Sequence, residues 1–139
     1  MRLSSFKLQN MGLFSKLFSS SAEPKNEKTL PWKDLTTIEQ LQDIKEASAQ
    51  KTQIIFKHST RCGISRMVIK QFVEDFELPE DQVDLYYLDL IENRAVSNAV
   101  EDVFNVIHES PQLLIIKDSL VIKHASHGAI SDLDLTSVI

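Results

Sequence analysis

Apolar residues recur along this chain with a spacing that alternates between a helical and an extended period. Ile38, Leu41, Ile44 and Ala47 form a stripe at helical spacing. Thr36 stands ahead of it as an N-cap and Glu39, three residues on, completes a capping box, so a helix is expected from about Thr37 to Ala49. The run QIIFKH follows as a short buried strand. After a turn at Ser59–Gly63, Ile64, Val68, Phe72 and Phe76 repeat at i+4 spacing, which predicts a helix closing before Pro79. VDLYYLDL, rich in aliphatic and aromatic residues, reads as the next strand. Val96, Ala99, Val100, Val103 and Phe104 mark a third helix, and QLLIIKD and SLVIKHA flank Asp118-Ser119 as a hairpin. Ser131 as cap, with Asp134 at the third helical position, predicts a last helix holding Leu133, Leu135 and Val138. WKDL at Trp32 is a candidate short first strand.

The order helix, strand, helix, strand, helix, strand, strand, helix fixes the class. A strand–helix–strand portion implies parallel pairing through a right-handed crossover, and the late hairpin implies an antiparallel edge. The expected fold is α/β, a central mixed sheet of four to five strands with helices on both faces, and it resembles the thioredoxin plan. The pattern begins at Leu30, so residues 30–139 are read as one thioredoxin-like domain and residues 1–29 as a flexible tail. That tail is acid-free over its first 22 residues, carries Arg2, Lys7 and Lys16, and offers a small apolar helix face in Leu13, Phe14, Leu17 and Phe18. It faintly resembles an organellar presequence. Lys7, Gln9 and Asn10 interrupt any secretory apolar core, and Met11 is an alternative start.

Composition narrows the function. Fifteen basic against twenty acidic side chains give a net charge of −5, which argues against a nucleic-acid binder. No run approaches the about 18 consecutive apolar residues of a membrane span. A single cysteine in 139 residues closes no internal disulfide and cannot build a four-cysteine zinc site. Such usage fits a reducing cytoplasm, and a monomer is expected.

That cysteine, Cys62, falls in the first turn of the second predicted helix. Backbone N–H groups there lack intrahelical partners, and the helix dipole places positive potential at the same end. Both favour a thiolate over a thiol, and Arg61 and Arg66 can add positive field. A lone cysteine is most often a small core residue. Here its neighbours are Thr60, Arg61, Gly63 and Ser65 rather than apolar side chains, so a reactive thiol is the better reading. Ser65 occupies the place that a resolving thiol takes in a C-x-x-C pair. A hydroxyl cannot resolve a mixed disulfide; it can hydrogen-bond a thiolate, or it is helix filler.

FKHSTRCGIS, HESPQLLIIKD and HASHGAI, in that order, resemble the monothiol bacilliredoxin family, thioredoxin-like proteins of the bacillithiol system. The resemblance spans Leu30 to Ile139. It implies that Cys62 is the nucleophile, supported by a loop of Thr60, Arg61, Gly63, Ser65 and Arg66. It implies S-bacillithiolated client proteins as partners and bacillithiol, a low-molecular-weight thiol, as co-substrate, with no bound cofactor. It also implies that Pro111 is a cis-proline beside the thiol and that Ser110 offers its backbone to an extended client. The family loop more usually has proline where this chain has Gly63, and glycine loosens that loop.

Two other functions compete. CGIS also resembles the CGFS loop of monothiol glutaredoxins that bind an iron–sulfur cluster, although the Gly-Gly-Asp-type segment of that family is missing here. A redox-silent thioredoxin-like module that binds peptides is the other. His124 and His127 are three apart with His108 nearby in sequence, but this H-x-x-H follows a strand rather than a helix and lacks a carboxylate at standard spacing, so no metal site is assigned. Lys57 reads as a solvated charge, and His58 as either a neighbour of the thiol or a solvent-facing strand end.

Overall fold

The computed structural model describes residues 28–138, so the tail read over residues 1–29 lies outside it except for Lys28 and Thr29. The Lys28 ammonium donates to the Glu74 and Phe76 carbonyls, which ties the first described residue to the end of a helix. In chain order the elements are β1 (Trp32–Asp34), α1 (Glu39–Ala47), β2 (Thr52–His58) and α2 (Gly63–Asp75). β3 (Val83–Asp89), α3 (Arg94–Phe104), β4 (Gln112–Lys117) and β5 (Leu120–Ser126) follow, then two 3-10 segments at His127–Asp132 and Leu135–Val138. WKDL does supply a first strand.

The five strands lie in the order β1-β3-β2-β4-β5. β1 and β2 run parallel to β3, while β4 is antiparallel to β2 and β5 to β4. Alternation along β2 sends its side chains to two cores. Ile55 joins Leu41 and Ile44 of α1 and Val96, Val100 and Phe104 of α3 on one face. Ile54 and Phe56 join Phe72 and Phe76 of α2 and Ile130 of the first 3-10 segment on the other. Trp32, Phe56 and Phe72 stack within about 6 Å there, in edge or tilted geometry. β2 is thus the central strand, covered on both faces, and its C-terminal end delivers the chain to Cys62.

Three local expectations need correction. The capping box at the start of α1 is built one residue later than Thr36 and Glu39. Gln40 takes its N–H to Thr37 Oγ1 at 3.3 Å, and its side-chain oxygen accepts the Thr36 and Thr37 N–H groups at 2.8 and 2.9 Å. The last helix does not form as an α-helix. Ser131 Oγ donates to the Gly128 carbonyl, and Asp134 Oδ1 accepts the Thr136 N–H and hydroxyl, so side chains satisfy backbone groups locally and favour turns. Finally, Lys57 is fully buried, because β3 and β4 flank its strand and α3 covers its face.

The β4–β5 hairpin turns as its sequence predicts. Asp118 and Ser119 have φ of 52° and 72°, the two left-handed residues a tight hairpin needs. Their N–H groups bond the Ser48 carbonyl and hydroxyl, which joins the turn to the end of α1.

Candidate functional site: a thiol at a helix N-cap

Cys62 is the N-cap of α2, with extended φ and ψ of −103° and 122°. Its carbonyl accepts the Arg66 N–H at 3.0 Å, the first bond of the helix, and its own N–H donates to the Ser59 carbonyl at 3.1 Å. The side chain makes no capping hydrogen bond, so the sulfur remains free for chemistry. It is partly exposed, with Thr60, Arg61, Gly63 and Ile64 exposed around it. The thiol therefore stands at the positive end of a 13-residue helix, on the rim of the sheet.

Behind the thiol lies a polar brace. Ser65 is fully buried, its hydroxyl 2.8 Å from His58 Nδ1 and accepting the Ser59 N–H at 3.1 Å. The residue in the resolving position is thus neither filler nor a partner for the sulfur; it fastens the loop to the end of β2. His58 is buried rather than solvent-facing, and its ring packs 5.6 Å from Tyr87. Burial holds its imidazole below the ordinary range, Asp89 pulls it back up, and Arg66 pushes it down. Arg66 also closes the loop across its outer side, with Nη1 donating to the Thr60 carbonyl at 3.2 Å. Arg61 makes no hydrogen bond or ion pair among the described residues and is the free cation of the loop.

The Ser110–Pro111 peptide bond is cis. Pro111 precedes β4, whose Gln112 pairs with Lys57 of β2, so the register places Pro111 at the same end of the sheet as Cys62. Pro111 is buried and its carbonyl accepts the His127 N–H at 3.0 Å; Ser110 is half-buried. The three histidines outside β2 do not converge: His108 turns to Lys57, His124 is exposed, and His127 lies 3.9 Å from Glu109. Among the described residues no three of His, Cys, Asp and Glu gather at metal-binding distance. Sequence reasoning missed the His58–Ser65 brace and the burial of Lys57. The former had one signal, a histidine ending a short strand built around the apolar run Ile54, Ile55 and Phe56.

A sheet of this order, with one thiol opening the helix after its central strand, is the architecture of a thioredoxin-fold redox protein. The chain belongs to the monothiol bacilliredoxin family: the family described as monothiol bacilliredoxin BrxC matches residues 33–135. A solved thioredoxin-fold protein proposed to be an oxidoreductase is 30% identical, with a TM-score of 0.63, over 76% of this chain and 90% of its own. Thioredoxin from Malassezia sympodialis is 18% identical with a TM-score of 0.62, covering 84% of this chain and 95% of its own. Mitochondrial thioredoxin 3 from Saccharomyces cerevisiae is 17% identical with a TM-score of 0.57, over 77% and 92% respectively. The last two show the fold; the family gives the redox use of the thiol. No helix among the described residues is long and apolar enough to cross a membrane.

Proposed function

We propose that this protein removes bacillithiol from S-bacillithiolated proteins by thiol–disulfide exchange at Cys62. The Cys62 thiolate attacks the bacillithiol sulfur of the mixed disulfide. A new S–S bond joins Cys62 to bacillithiol, the client S–S bond breaks, and the client sulfur leaves as a thiolate that takes a proton from solvent. A second bacillithiol thiolate, or another thiol reductant, then attacks the adduct and frees Cys62. Bacillithiol is co-substrate throughout, and the exchange needs no bound cofactor.

The observation that carries this reading is the pairing of a partly exposed N-cap thiol with a buried serine at the resolving position. Such a site can accept a small thiol and cannot expel it alone. In this reading an extended client segment lies against Ser110 and Pro111, and membership of the monothiol bacilliredoxin family supports bacillithiol as the small thiol.

The test is intact-mass spectrometry of a bacillithiolated client mixed with reduced protein. Expected is loss of the client adduct with a single bacillithiol adduct on Cys62, and neither event with Cys62→Ser. A client that stays modified, or a Cys62→Ser variant that strips it as well, overturns the proposal. Brown protein with cluster absorbance after anaerobic purification would favour the iron–sulfur alternative.

A further inference from the structure

The exchange chemistry does not use the polar cluster on the other face of the sheet, between β2, α3 and the loop leading to Pro111. Lys57 is fully buried in a strand whose neighbouring residues are Ile54, Ile55 and Phe56. Lysine is rarely buried, and a buried amine is costly unless something holds it. An apolar residue would pack there at less cost. What Lys57 meets is His108, with Nζ 3.2 Å from Nδ1. Ser97 Oγ of α3 lies 3.4 Å from the same nitrogen.

His108 begins a run of loop residues held by side chains from elsewhere. Its N–H donates to Glu101 Oε1 of α3 at 3.3 Å. The amide of buried Gln112 clasps both flanking residues, donating to the Ile107 carbonyl at 2.9 Å and accepting the Glu109 N–H at 3.4 Å. Ser110 and Pro111 come next. The segment that meets an extended client is therefore set by three elements, and Lys57 is the contribution from the catalytic strand.

We propose that Lys57 and His108 form a proton-sensitive latch that positions Ile107–Pro111 beside the thiol and so governs engagement of protein clients. Both are positioning residues; the sulfur chemistry stays with Cys62. The latch rests on the exchange reading of Cys62 and deepens it.

An ammonium only donates, so His108 Nδ1 accepts and the imidazole is neutral, with its hydrogen on Nε2. Charged groups face this ring from each side: Lys57 from β2, Arg94 and Glu101 from α3, and Glu109 from the loop. Burial, Lys57 and Arg94 hold it below the ordinary range, against the pull of Glu101 and Glu109. Once protonated, Nδ1 is no longer an acceptor and two cations stand in contact, so acid opens the latch. On the alkaline side it survives, because Lys57 still has N–H groups to donate when neutral.

The experiment compares wild type, Lys57→Met and His108→Asn, the last offering a non-titrating amide oxygen near the place of Nδ1. Each is assayed with a protein mixed disulfide across pH, while iodoacetamide alkylation reports Cys62 itself. In Lys57→Met, KM for the protein substrate rises about fivefold and Cys62 alkylation stays within about twofold. Its melting temperature holds or rises, because a buried charge has been removed. Wild type shows KM climbing on the acid side of the ordinary imidazole range, and His108→Asn abolishes that climb. An unchanged KM in Lys57→Met, or KM, alkylation and melting temperature all worsening together, overturns the latch. Should wild type fail on every protein disulfide, amide hydrogen exchange at Ile107–Ser110 still decides: faster exchange in Lys57→Met supports it, equal exchange overturns it.

Discussion

His58 Nδ1 lies 2.8 Å from Ser65 Oγ, and both groups are buried directly behind the loop that carries Cys62. The serine oxygen also takes the Ser59 N–H, so one hydroxyl fastens strand end, loop and helix start. Ser65→Ala strands the buried His58 ring nitrogen and the part-buried Ser59 N–H at once and should cost about 1–3 kcal/mol of unfolding free energy. Urea unfolding measures this. A loss below a few tenths of a kcal/mol would mean that the brace contributes nothing.

Ser65→Cys asks a different question of the same position. N-cap and third helical residue are close neighbours, so the new thiol stands where it can attack a mixed disulfide on Cys62. The oxidised variant should be lighter by two hydrogens, and release of a small thiol from Cys62 should no longer depend on added thiol. Release that still needs external thiol would show that burial keeps position 65 out of reach.

Gly63 opens α2 without using the freedom special to glycine, since no glycine of the described chain has positive φ. Cys62 already has the extended backbone that a residue before proline must adopt, and proline suits the first helical position. A Cβ at position 63 meets nothing nearer than Arg66 Nη2 at 3.9 Å. Gly63→Pro should therefore stabilise the fold by about 0.4–1 kcal/mol through the unfolded chain. Exchange activity should be kept. A lower melting temperature would show that the loop needs the glycine.

Much of this site was legible because its signals are local. The apolar run of β2, the i+4 stripe of Ile64, Val68, Phe72 and Phe76, and the lone Cys62 between them lie within 24 residues of sequence. The register of Pro111 against that end follows only from the antiparallel pairing of β2 with β4, a contact across more than 50 residues. Lys57 misled for the same reason. Its burial depends on β3 and β4 flanking β2 and on α3 covering that face, none of which shows in a charged residue near a strand end. The terminal segment misled in the other direction: Ser131 and Asp134 are helix-start residues by type, yet their side chains bond the chain locally and hold turns.

The buried ionisable groups give the stability a predictable pH dependence. His58 and His108 are both held below their ordinary value of 6.5, mainly by burial. The unfolded chain therefore binds protons at these sites before the folded one does, and stability falls as pH drops from about 6.5 until the folded values are passed. Lys57 acts at the other end, lowered by burial from 10.5 to about 8 with Glu101 opposing. Between those values the unfolded chain holds the extra proton, so this group adds stability as pH rises from 8 toward 10.5. Each group contributes a slope of at most about 1.4 kcal/mol per pH unit inside its window. Urea unfolding at about pH 5, 7 and 9.5 should show His108→Asn with a shallower acid loss and Lys57→Met without its share of the alkaline gain. If Lys57→Met keeps the full wild-type rise above pH 8, the buried amine is not the group that titrates there.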